Sequence, residues 1–154
     1  MTPQTVVSLA EAKLAQANDV HRPAVLIVDD EKVIADTLTA IFNRSGYAAM
    51  AAYDGKSALE FAANVPPELM ITDVMMPGMN GIDLAITLEK LLPACKILLF
   101  SGQASTADLL SAANAQGHDF TMLTKPVHPT ELLRHVSESL QARIPQQPVA
   151  AIGV

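Results

Sequence analysis

The sequence predicts an α/β protein, a (βα)5 chain folded as a doubly wound, five-stranded parallel sheet. Short apolar runs alternate with segments of helical period from residue 24 to residue 140, and helix caps or breakers punctuate the joins. Strands joined by helical crossovers must run parallel, so helices cover both faces of such a sheet.

The first run, AVLIV (24–28), is short and β-branched enough for a buried strand and ends on Asp29 and Asp30. Ile34, Leu38, Ile41 and Phe42 then recur on one helical face, with Gly46 placed to end that helix at C′. YAAMAAY (47–53) reads as a weaker second strand. Asp54 caps a helix through about residue 63, which Pro66 and Pro67 forbid from continuing. ELMITD (68–73) is the third strand, and Leu84, Leu88 and Leu91 mark a helix over about 82–92, before Pro93. CKILLFS (95–101) is the fourth strand. Ser105 and Asp108 resemble a capping box for a helix reaching Gly117, FTMLTK (120–125) is the fifth strand, and Pro129 opens a last helix carrying Leu132, Leu133, Val136 and Leu140.

Length and composition are consistent with one compact domain: 154 residues, half of them hydrophobic. Ten Lys and Arg against 16 Asp and Glu give 10 − 16 = −6, which argues against a nucleic-acid or anionic-membrane partner. The single cysteine, Cys95, cannot form an internal disulfide and reads as a small buried hydrophobe. No basic leader and no run of about 18 apolar residues is present, so the expected location is the cytoplasm.

Open parallel sheets bind ligands beyond the carboxyl ends of their strands. Those ends are Asp29 and Asp30 (first strand), Asp73 (third), Ser101 (fourth) and Lys125 (fifth). Three carboxylates brought together repel, at about 1 kcal/mol per pair in water and about 4 at an effective dielectric near 20. Lys125 offsets part of this, and a hard divalent cation that keeps its waters, Mg²⁺, suits the remainder. A carboxylate so placed can attack a phosphoryl group, provided a cation and fixed donors relieve the charge crowding. Asp73, at the middle of the rim, is the natural acceptor, with Lys125, Ser101 and backbone N–H groups of the 74–76 turn as donors.

Four stretches, LIVDDE, MITDVMMPGMNG, LLFSG and LTKP, resemble in order and spacing the receiver domain of bacterial two-component response regulators, over about residues 23–142. The spacing from Asp73 to Pro77, with Gly81 beyond, matches that family's loop. The resemblance implies the flavodoxin-like strand order 2-1-3-4-5. It implies phosphoryl transfer to Asp73 from a histidine kinase or phosphotransfer protein, with Mg²⁺ held by Asp29, Asp30, Asp73 and the backbone carbonyl of Met75, and with Ser101 and Lys125 on the phosphoryl oxygens. Such a domain is not an enzyme beyond its own phosphorylation and dephosphorylation, and it signals to a downstream protein. A receiver that folds without being phosphorylated, acting only as an interaction module, is the alternative.

One position departs from the family pattern: three residues before Lys125, where receivers usually carry an aromatic, stands Met122, and the nearby aromatic is Phe120. The aromatic half of the family's switch is then absent, or is taken over by Met122 or Phe120. The four histidines, His21, His118, His128 and His135, have no metal-ligand spacing and read as surface or capping residues. Residues 1–22 read as an extension with a short helix, Ser8 and Glu11 forming a capping box, which docks on the domain, pairs with a second copy in a homodimer, or frays. Residues 143–154 read as a mobile tail, too short for an output domain, hence a stand-alone receiver. A metal-dependent phosphatase would want an acid where Met75 stands, and a flavin or nucleotide binder would want a Gly-rich loop after the first strand; neither is present.

Overall fold

The computed structural model describes residues 21–102 and 106–141. In chain order they form β1 (Ala24–Val28), α1 (Lys32–Arg44), β2 (Ala48–Ala52), α2 (Gly55–Asn64), β3 (Leu69–Asp73), α3 (Gly81–Leu91), β4 (Lys96–Ser101), α4 (Thr106–Ala115), β5 (Thr121–Thr124) and α5 (Pro129–Gln141). The sheet is parallel throughout, in the order β2-β1-β3-β4-β5. The expected extension helix, the 143–154 tail and the cap at Ser105 lie outside the described residues.

Alternation along the strands sends side chains to two apolar layers. Val25 and Ile27, Leu69 and Ile71, and Leu98 and Phe100 face α1 and α5, where Leu38, Phe42, Leu132 and Val136 complete a fully buried cluster. Leu26, Val28 and Met70 face the other side, under Ala58 and Ala62 of α2 and Leu84 and Leu88 of α3. Leu99 and Val74 continue that side beneath Ile82, Ala85, Ala113 and Phe120. β1 and β3, buried on both faces, therefore read as unbroken apolar runs rather than as alternating ones.

Local chemistry sets the joins. Gly46 takes φ +100° just past the Ser45 cap of α1, a left-handed conformation that glycine adopts without the Cβ penalty. Asp54 accepts from the Ser57 N–H at 2.7 Å to start α2, and Asn80 accepts from the Asp83 N–H at 2.8 Å to start α3. His128 does the same for α5, its Nδ1 accepting from the Thr130 N–H at 3.2 Å.

Some boundaries differ from the sequence reading. β2 and β5 are shorter than the runs at 47–53 and 120–125, because a ladder extends only as far as its partner strand: β5 pairs with β4 alone, from Leu98↔Thr121 to Ser101↔Thr124. Phe120 precedes the ladder and is buried in the layer under α3 and α4, while Met122 is half-buried against the same layer. His118 is not a simple surface residue. Its Nδ1 lies 2.6 Å from Glu89 Oε1 on α3, and its ring stacks on Phe120 at 5.8 Å between centroids. Cys95 is half-buried rather than buried, packed against the α2 and α3 layer.

The methionines of the 74–80 turn have separate places. Met76 is buried in the core, Met79 covers Gly55, and Met75 is exposed. The atoms nearest to a Cβ added at Gly55 belong to the Met79 side chain, its sulfur at 2.9 Å, which can give way. At Gly81 an added Cβ would lie 2.0 Å from the Asp73 carbonyl oxygen and 2.9 Å from Val74 Cα, both backbone. Gly81→Ala is therefore expected to destabilise the fold by about 1–3 kcal/mol or more and Gly55→Ala by much less, measured by urea unfolding.

Candidate functional site at the carboxyl edge of the sheet

Asp29 follows β1, Asp73 ends β3 and Lys125 follows β5, so the sheet itself delivers all three to one edge. Their faces follow from alternation: Asp29 continues Val25 and Ile27, Asp73 continues Leu69 and Ile71, and Lys125 continues Leu123, all on the α1 and α5 side. Carboxylate oxygens of Asp29, Asp30 and Asp73 lie within 4.8 Å of one another. Lys125 Nζ reaches Asp29 Oδ2 at 3.3 Å and Asp73 Oδ1 at 3.4 Å. Asp29 Oδ1 also accepts from the Glu31 N–H at 2.9 Å, which orients its carboxylate as α1 begins.

Asp29, Asp73 and Ser101 are buried, whereas Asp30 and Met75 are exposed at the mouth. A cleft of about 340 Å³ is lined by Asp30, Glu31, Asp73, Met75, Gly102 and Lys125. A larger cleft, about 500 Å³, lies at the opposite edge of the sheet beside His21, Tyr47 and Glu68, away from the three acids. Chemistry rather than volume selects the site. Ser101 stands one residue beyond Phe100, the register partner of Asp73, and Gly102 rather than Ser101 lines the cleft.

Burial pushes the Asp73 carboxyl up to about 6; Lys125 opposes this, and the charges of Asp29 and Asp30 add to it. Burial pulls Lys125 down, but Asp73 and Asp29 outweigh it and hold the ammonium above its ordinary value. The backbone of Asp73 is equally constrained: the Thr72 hydroxyl donates to its carbonyl at 2.9 Å, and the Gly81 N–H donates to the next carbonyl, Val74 O, at 2.8 Å. The Lys125–Pro126 peptide bond is cis.

An acidic triad with an ammonium paired to two of its carboxylates lies at the carboxyl edge of a 2-1-3-4-5 sheet, and comparison with known proteins identifies the class as phosphoryl-accepting signalling domains. The family description "response regulator receiver domain" matches residues 25–137, and the chain belongs to that family. The DNA-binding response regulator MtrA of Mycolicibacterium smegmatis is 31% identical over 123 residues, covering 80% of this chain and 53% of the relative. The chain thus spans about half the length of this curated relative. Among solved structures, a CheY-like receiver domain protein from Methanospirillum hungatei superposes with a TM-score of 0.72 at 29% identity, covering 79% of this chain and 96% of the other. The signal receiver domain of an HD domain-containing protein from Pseudomonas fluorescens gives 0.73 at 27% identity, covering 79% and 97%. No described helix is long and apolar enough to cross a membrane.

Phe100 is the member of the site that sequence reasoning missed. Its ring lies under Lys125, with Nζ 5.0 Å from the centroid. The alternation of Leu98 and Phe100 within the fourth run was the available signal.

Raised by burial, Asp73 is protonated more readily in the folded chain than in the unfolded one. Its favourable share of stability is complete below about pH 4 and is lost as pH rises through about 6. In chelator-treated protein, Asp73→Asn should therefore exceed the parent in stability by up to about 3 kcal/mol near pH 8, the difference fading toward pH 4. Urea unfolding across that range checks this; a difference independent of pH would count against it.

Proposed function

We propose that this receiver accepts a phosphoryl group on Asp73 from the phosphohistidine of a histidine kinase or phosphotransfer protein, and signals through a phosphorylation-dependent protein contact. The observation that carries the reading is the Lys125 ammonium, bridging the buried Asp73 and Asp29 carboxylates beside a solvent-open cleft. In the transfer, an Asp73 Oδ–P bond forms as the donor N–P bond breaks, and the departing imidazole takes up a proton.

Each residue has a physical part in that step. Above about pH 6 the Asp73 carboxylate is ionised and can attack, and its burial leaves it poorly solvated and so more reactive. Lys125 donates to a phosphoryl oxygen, exchanging a carboxylate contact for one with the arriving anion. Ser101 supplies a hydroxyl donor after a small rearrangement of the loop that follows β4. Gly81 lets the 74–80 turn close over the Asp73 carbonyl, and so sets the acceptor's direction. The three acids fit a small hard cation: their oxygens are close together, and Asp30 is exposed at the mouth. Asp29, Asp30, Asp73 and the Met75 carbonyl would hold Mg²⁺, which when bound supplies the positive charge that relieves crowding on the transferred phosphoryl. Phosphorylation adds charge at the loops after β4 and β5, and biases them between packings of similar free energy.

Incubation with acetyl phosphate and Mg²⁺ should add one phosphoryl mass to the intact chain, and Asp73→Asn should abolish the gain. No gain in the parent, or an equal gain in the variant, would overturn the reading and leave a domain acting by interaction alone. Lys125→Ala should retain Mg²⁺ binding, seen by titration calorimetry, while slowing phosphorylation about 10- to 1000-fold, the scale of losing one fixed charge-stabilising donor. Loss of metal binding would argue against its assigned part.

A further inference from the structure

The ammonium that pairs with Asp73 sits on a slender, flexible stem, and two carboxylates attract it without fixing its direction. A third contact supplies what they lack. Phe100 is the register partner of both Asp73 and Leu123, so its side chain rises on the same face as Asp73 and Lys125. It is buried, packed in the layer formed with Leu132 and Val136 of α5 and Phe42 of α1. Lys125 Nζ lies 5.0 Å from the ring centroid, within the range where an aromatic face attracts a cation.

We infer that Phe100 is a positioning residue for phosphoryl acceptance: its core-anchored ring forms the floor that keeps the Lys125 ammonium aimed across the cleft at Asp73. This rests on the function proposed above. An aliphatic side chain of similar volume would fill the same space and keep the layer packed, but would offer no negative π-face to the ammonium. The aromatic requirement therefore belongs to the site, although the residue belongs to the core. The position usually aromatic in the family holds Met122, half-buried against the opposite layer. Here a ring beside the lysine is carried by β4, one residue before Ser101.

Two variants separate direction from packing. Phe100→Leu removes the ring, and site-specific replacement of Phe100 by a trifluorinated phenylalanine keeps its shape while draining electron density from its face. Both are compared with the parent for the rate of mass gain with acetyl phosphate and Mg²⁺, with Asp73→Asn as the blank. The Lys125 ε-methylene resonances, which the ring current of Phe100 shifts upfield, are read by NMR on the same samples without phosphodonor. The expected result is a rate about two- to fivefold lower in Phe100→Leu, with the ε-methylene resonances moved to ordinary lysine values, and an intermediate rate in the fluorinated chain. A fluorinated chain as fast as the parent, or ε-methylene resonances unchanged in Phe100→Leu, would overturn the inference. If the parent gains no mass, the function proposed above fails, and the resonances alone then decide whether Phe100 holds Lys125.

Discussion

Three carboxylates held within 4.8 Å of one another at the end of a buried sheet repel, and Lys125 is the charge on which that arrangement depends. Burial in this cleft raises the Asp73 carboxyl, so its charge costs more here than in water. Strands β1, β3 and β4, sealed on both faces by apolar layers, supply the rigidity that keeps the acids from drifting apart to relieve the strain. The stability that Asp73 gives up is the counterpart of the reactivity proposed for it, a trade common at functional sites.

Around that cluster the fold divides its work by face. The α1 and α5 side carries Asp29, Asp73, Phe100 and Lys125 above a core of Leu, Ile, Val and Phe, so the charged cleft rests on a buried, close-packed layer. The other side holds α2, α3 and α4, with the 74–80 turn folded over it through Met76 and Met79. Two of the three methionines beside the acceptor are thus packing, and only Met75 remains at the mouth of the cleft. At the far end, the His118–Glu89 pair ties the turn after α4 to α3.

Periodicity and punctuation made the fold legible. Apolar runs ending on polar residues, with Asp54, Gly46 and Pro129 between them, are local signals that the structure repeats almost residue for residue. The site was legible to the same extent, because a parallel sheet places every carboxyl end on one edge, and the residues at those ends are simply read off. What eluded the sequence depends on lateral register. Alternation puts Phe100 on a face, but nothing local says that its register partner is Asp73, that Phe120 leaves its strand to join a helix layer, or that His118 meets a glutamate 29 residues away.

By itself the sequence determined the element order, the parallel sheet and the acids, hydroxyl and lysine of the carboxyl edge. Those follow from hydrophobic period and chain connectivity, which are properties of neighbours along the chain. Only the tertiary structure decided the separations among those groups, the burial that raises Asp73, the backbone contact that leaves no room for a Cβ at Gly81 and the ring beneath Lys125. These are set by how strands slide past one another and how side chains from distant segments share one volume. Distance and solvent exclusion, unlike period, are not written in any single stretch of sequence.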